Sequence, residues 1–162
     1  MIAVRKYGYA LRSVNDKTEE ICLEAIRKRG TSLRYVENQT EEMCITAVNE
    51  DPFALEFVRE QTEEICLIAV RNGYTLRYVK DQTEEICLKA VKNDGWVLGY
   101  VENQTLDLCI ASLTSCVYGG RNDIKPDNPI RLEHIKDLDM KEICRKYLEG
   151  KRFLMTKSAK RK

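Results

Sequence analysis

The chain carries a single histidine, His134, and no Cys-x-x-Cys pair. A tetrahedral zinc site therefore has no ordinary set of ligands to draw on, and no metal is expected. No apolar run approaches the ~20 residues that cross a bilayer, so no membrane partner is expected either. No secretory signal pattern opens the sequence, which points to a cell interior or a particle. A phosphate-cradling glycine loop and a nucleophile motif are also missing. No residue is assigned a catalytic or cofactor-binding role on this reading.

What is present is cysteine, charge and periodicity. Seven cysteines occur, with 43% hydrophobic and 33% charged residues, a balance that suits a folded chain. The net charge of +1 hides an asymmetry. Residues 151–162 hold Lys151, Arg152, Lys157, Lys160, Arg161 and Lys162 with no acid, which leaves an acidic body and a basic tail.

One block, Gln82-Thr83-Glu84-Glu85-Ile86-Cys87-Leu88-Lys89-Ala90-Val91, recurs with small changes. Its threonine falls at Thr18, Thr40, Thr62, Thr83 and Thr105, and its cysteine at Cys22, Cys44, Cys66, Cys87 and Cys109. A period of about 22 residues at matched columns predicts an all-α solenoid of short helix pairs. The threonines read as N-caps. The glutamate pairs that follow complement the positive end of each helix. Gly8, Gly30, Gly73 and Gly95, with Pro52 in the third unit, read as helix stops. The second helix is expected over about Thr31 to Asn38. The one-residue shortening between Ala69 and Gly73 is expected at the turn, where it leaves the buried face unrotated.

Five cysteines in one helical column read as buried, reduced side chains. Neighbouring helices stand about 8–10 Å apart, beyond the reach of a disulfide. Two aromatic columns accompany them. Tyr35, Phe57, Tyr78 and Tyr100 flank the buried face and read mainly as packing against the next repeat. Tyr9, Phe53, Tyr74 and Trp96 directly follow the stop and read as the hydrophobic contact that closes a helix end. Arg12, Arg34 and Arg77 repeat on the short helix, and the third unit breaks that column with Glu56. The partner-binding candidates are Arg12, Arg34, Arg77, Tyr35, Tyr78 and Tyr100.

Four regions follow: a repeat array over 1–118 with a truncated first unit, a loop over 119–128, a degenerate capping repeat over 129–150 and the basic tail. In the cap, Leu132-Glu133-His134-Ile135 aligns with Leu76-Arg77-Tyr78-Val79, and Asp139 with Glu142 reads as a capping box. The truncated first unit leaves Ile2, Val4, Leu11 and Val14 without a covering repeat, so an open apolar end suited to a homodimer is expected.

Gln-Thr-Glu-Glu-Ile-Cys-Leu-x-Ala-Val followed by Gly-Tyr-x-Leu-x-Tyr-Val resembles a repeat family of unknown function. That family is abundant in large DNA viruses of amoebae and occurs in bacteria that live in amoebae. The likeness covers residues 3–113 closely and 130–148 loosely, and Gln61 to Leu67 and Gln82 to Leu88 match the motif without a gap. It implies an α-helical repeat of viral origin and transfers no activity. The functional expectation is a non-enzymatic scaffold that binds a host or viral protein, in the cytoplasm or nucleus of a host cell or packaged in the virion. The alternative is a nuclear-directed or nucleic-acid-associated protein that uses Lys157, Lys160, Arg161 and Lys162 of the tail.

Overall fold

The computed structural model describes residues 7–118 and 129–159. Ile2, Val4, the 119–128 loop and Lys160, Arg161 and Lys162 lie outside these residues. Every regular element among the described residues is helical. Six α-helices run over Glu19–Lys28 (α1), Glu41–Glu50 (α2), Glu63–Ala69 (α3), Glu84–Asn93 (α4), Leu106–Tyr118 (α5) and Leu138–Ala159 (α6). Six 3₁₀ helices alternate with them: Gly8–Ser13 (η1), Gly30–Tyr35 (η2), Pro52–Phe57 (η3), Gly73–Tyr78 (η4), Gly95–Tyr100 (η5) and Pro129–His134 (η6). Each α-helix packs on the next α-helix and each 3₁₀ helix on the next 3₁₀ helix. The result is a two-layered solenoid, as the period predicts.

The threonine caps form as expected. Thr18, Thr40, Thr62, Thr83 and Thr105 each accept a hydrogen bond from the backbone N–H three residues on, at 3.3–3.4 Å. One continuous core runs from Leu11 to Cys144. Leu11, Leu33, Leu55 and Leu76 are fully buried, as are the column alanines Ala25, Ala47, Ala69 and Ala90. The deletion sits at the turn: α3 stops at Ala69, three residues short of the ten-residue helices.

Several expectations are corrected. The second helix is a 3₁₀ turn that starts at Gly30 and stops at Tyr35, short of Asn38. The chain goes extended at Val36, at φ −96° and ψ 122°. The carbonyl just before it points away from any helical partner and is bound by the preceding repeat.

The glycine column does not stop the helices either. Arg29 ends α1 in an extended conformation at φ −160°, and Gly30 opens η2. The column is glycine because the next repeat comes too close for a side chain. A Cβ on Gly8 would lie 2.6 Å from the Ala25 carbonyl oxygen, and one on Gly73 3.1 Å from that of Ala90. One on Gly30 would press into the Ala47 carbonyl oxygen. Pro52 takes this column where the facing helix is the shortened α3.

At the N-terminal end Leu11 is fully buried and Val14 is half-buried against the core. Leu11 therefore offers no open apolar surface there. At the other end Asp137, not Asp139, caps α6 by accepting from Met140 N at 2.8 Å. Glu142 pairs instead with Arg145 and Lys146. The helix also runs on past residue 150, to Ala159, so its backbone includes position 157 of the tail.

Candidate functional site

The repeats are joined by a side chain to which the sequence reading gave no role. Gln39, Gln61, Gln82 and Gln104 each stand just before a capping threonine. The Gln61 Nε2 donates to Leu55 O in its own repeat at 3.4 Å and to Tyr78 O in the next at 2.9 Å. Its Oε1 accepts from Lys80 N at 3.0 Å and from the Cys66 thiol at 3.6 Å. Gln39 and Gln82 repeat all four contacts. Both amide hydrogens and the amide oxygen are satisfied, so the side chain takes the place of a backbone partner for a segment that belongs to no sheet.

The first repeat departs from this rule with Lys17, whose Nζ reaches Tyr35 O at 2.9 Å. Lysine has no acceptor, so half of the clamp is not made there. At the last interface Gln104 reaches His134 O at 2.8 Å and accepts from Lys136 N at 2.9 Å. His134 thus occupies the ring column of a sixth repeat, 30 residues from its clamp. A second set of long cations crosses the same edge. Arg59 donates to Glu37 O, Lys80 to Arg59 O and Lys136 to Val101 O, each at 2.6 Å.

The thiols are buried and reduced at every described cysteine side chain. Burial raises each of them above the ordinary thiol range. At the final interface the Cys109 and Cys144 thiols lie close enough to shift each other's ionisation. Burial pushes Cys109 up to about 11, and the neighbouring Cys144 and Asp137 add to the shift. A thiol held protonated in this way is a poor nucleophile.

The aromatic columns interlock across repeats. The column after the glycine stacks edge-on against the ring column of the following repeat. Phe53 meets Tyr78 and Tyr74 meets Tyr100, both at 6.4 Å between ring centroids, and Trp96 meets His134 at 5.6 Å. Phe53, Tyr74 and Trp96 are therefore rungs between repeats, not closures of their own helix ends, whereas Tyr9 meets Tyr7 beside it at 5.6 Å. Tyr35 and Tyr78 are half-buried against the core, while Tyr100 is 38% exposed. Tyr9 and Tyr74, read from sequence as purely structural, are 54% and 43% exposed.

Arg12, Arg34 and Arg77 are all exposed. The Arg34 guanidinium lies 4.1 Å over the Phe57 ring of the next repeat, and that of Arg77 lies 4.9 Å from the Tyr78 centroid. Six candidates thus gather on one face, the 3₁₀ layer, with Tyr9 and Tyr74 added. A signal for the added pair was present. At three residues per turn, the second and fifth positions of each short helix share a side, so Tyr9 goes with Arg12 and Tyr74 with Arg77. The opposite edge carries the glutamate pairs and two grooves of about 440 and 500 Å³ between repeats, lined among others by Glu37, Glu41 and Glu60. Among the described residues no cluster of side chains could hold a metal ion. No helix among them is long and apolar enough to cross a membrane.

This is a helical repeat array in which one glutamine clamp recurs at four junctions and one ring-stacking rule at three. A family model described as a domain of unknown function, DUF4116, matches residues 62–105, just over a quarter of the chain. That stretch runs from one capping threonine to the second one after it, and so spans α3, η4, α4 and η5. No curated protein and no solved structure matches the chain.

Proposed function

We propose that this chain is a non-enzymatic scaffold that binds another protein through its 3₁₀ layer. The observation that carries the reading is the division of labour within each repeat. The glutamine clamp, the thiol and the alanine column face inward and fix the spacing between repeats. The arginines and three of the rings, Tyr9, Tyr74 and Tyr100, stay outward at that spacing. Tyrosine and arginine are the residue types that most often anchor protein interfaces. Buried thiols with raised pKa values support a role without turnover, as does a histidine stacked on Trp96.

The viral setting implied by the resemblance, an address inside a host cell or its virion and a homodimer through the N-terminal end all belong to this proposal. Cross-linking mass spectrometry on the tagged full chain, in the cells in which it is made, tests the scaffold reading. Cross-links to a partner protein should map to η1 through η5. Recovery of the chain with no cross-linked protein would overturn the scaffold.

A further inference from the structure

The 3₁₀ layer carries most of the large apolar side chains that the described residues leave exposed. Tyr7, Tyr9, Tyr74 and Tyr100 lie on or beside it, and only Leu138 and Ile143 lie elsewhere. Its arginines are not used internally as charges. Arg34 spends its Nε on the Thr31 carbonyl at 3.2 Å and places its guanidinium carbon 4.1 Å from the Phe57 ring centroid. Neither Arg34, Arg77 nor Arg12 makes an ion pair among the described residues, where the pairs are Arg27–Glu24, Arg145–Glu142 and Lys146–Glu142. A guanidinium seated over a ring by its carbon and Nε leaves its terminal nitrogens open to a partner. That is the geometry for taking a carboxylate with two parallel hydrogen bonds.

Among the described residues the long cations of the grooved edge are used internally. There Lys17, Arg59, Lys80 and Lys136 are drawn onto backbone carbonyls, among exposed glutamates. An acidic partner is thus repelled from the groove edge and attracted to the 3₁₀ layer. A nucleic acid fits less well. The arginines are few, exposed Glu56 interrupts their column, and residues 1–150 hold more acids than bases.

We infer that the 3₁₀ layer docks an acidic linear segment of a partner protein, with Arg12, Arg34 and Arg77 taking its carboxylates and Tyr9, Tyr74 and Tyr100 its apolar side chains. The inference rests on the scaffold reading and supplies the partner's chemistry. Glu56 is the repulsive position in the column, and replacing it with arginine joins Arg34 to Arg77 in an unbroken cationic row.

The test is fluorescence anisotropy with the full chain and three labelled probes: a peptide of repeating Asp-Leu-Glu-Ser, a peptide of repeating Lys-Leu-Lys-Ser and single-stranded oligothymidylate. Wild type should bind the acidic peptide in preference to both others. The double variant Arg34→Ala/Arg77→Ala should weaken that binding about tenfold, and Glu56→Arg should strengthen it several-fold, on the order of a rim charge contact. All three positions are exposed, so circular dichroism spectra of the variants should overlay wild type, with at most a small fall in melting temperature from the lost Arg34–Phe57 contact. Failure of the acidic peptide to bind, indifference to both variants, or preference for either other probe overturns the inference. Preference for oligothymidylate would assign the face to nucleic acid. The scaffold reading fails separately. A protein that cross-links equally well to wild type and to the double variant keeps the scaffold and removes the acidic docking face.

Discussion

The inner interfaces and the final interface use the same parts differently. Between η2 and η5 each junction has a glutamine clamp, a thiol bound to the glutamine oxygen and a ring pair or an arginine over a ring. At the junction with η6 the clamp survives through Gln104, but the thiol of Cys109 turns to Cys144 and the ring becomes His134. Gly99 stands where an arginine would be, and a Cβ there would lie 3.2 Å from the His134 Nδ1. Ser112 replaces the column alanine and donates to Gly95 O at 2.8 Å from a buried position. Backbone-directed bonds are thus kept wherever a repeat must dock. The side chains around them change at the junction of η5 with η6. In a stack of nearest-neighbour contacts, a fault at an inner junction uncouples both halves, and one at the end releases only the cap.

The sharpest way to break this contrast is to fill the glycine notch. Gly30→Ala drives a methyl group into the Ala47 carbonyl, backbone that cannot swing aside. It should cost about 3 kcal/mol, the upper end for overpacking. Gly99→Ala at the end meets only an imidazole edge and should cost under about 1 kcal/mol. Urea unfolding followed by circular dichroism compares the two. Equal losses would show that the notch does not set the spacing.

Removing clamps comes next. Gln82→Ala gives the exposed Tyr100 carbonyl and Glu102 N–H back to water and removes the part-buried bond to the Leu76 carbonyl, and should cost about 1.5 kcal/mol, the net worth of one or two intramolecular hydrogen bonds. Gln104→Ala should barely move the main unfolding transition. It should instead speed amide exchange in the 132–148 segment by about tenfold, the signature of local opening. Uniform acceleration along the chain in Gln104→Ala would contradict a separable cap.

The thiols sharpen the same comparison through pH. A thiol whose folded pKa is raised stays protonated in the native state while its unfolded counterpart ionises above about 9. The unfolded chain then binds fewer protons, and stability falls as pH rises. Its contribution is fully present below pH 9 and is lost between 9 and about 11 for Cys109. Unfolding midpoints should fall across that window, and Cys109→Ala should flatten the slope. A slope unchanged in the variant would place the titration on another group.

How far the sequence speaks depends on whether a contact is local. Thr62 and Ile65 lie three residues apart, so the cap could be read directly. The buried cysteine column follows from helical spacing alone. Gln61 could not be read in this way, because its partners Tyr78 and Lys80 belong to the next repeat and no rule of periodicity names them. Gly30 was misread because a glycine after a helix fits a stop as well as a notch. Asp139 was preferred to Asp137 because the one inserted residue in the cap shifts the register. The 3₁₀ face was half legible: the arginines stand out as a column, but the exposure of Tyr9 and Tyr74 depends on how tightly the short helix winds.

The smallest expected effect compares caps. Thr83 Oγ1 accepts from Ile86 N at 3.4 Å and also reaches Glu63 in the preceding repeat at 3.3 Å, whereas Thr105 makes only the first of these contacts among those that fix the cap. The N-cap bond alone is worth about 1 kcal/mol. Thr83→Ala should therefore cost slightly more than Thr105→Ala, by the few tenths of a kcal/mol that an exposed hydrogen bond adds. Glu63→Gln keeps an acceptor for the Thr83 hydroxyl, so it should leave the Thr83 cost largely intact. A double-mutant cycle of Thr83→Ala with Glu63→Ala, which removes the acceptor, measures the coupling directly. A coupling of zero would show that the threonine column caps helices and does nothing between repeats, and would leave the glutamines and the long cations as the polar links along that edge.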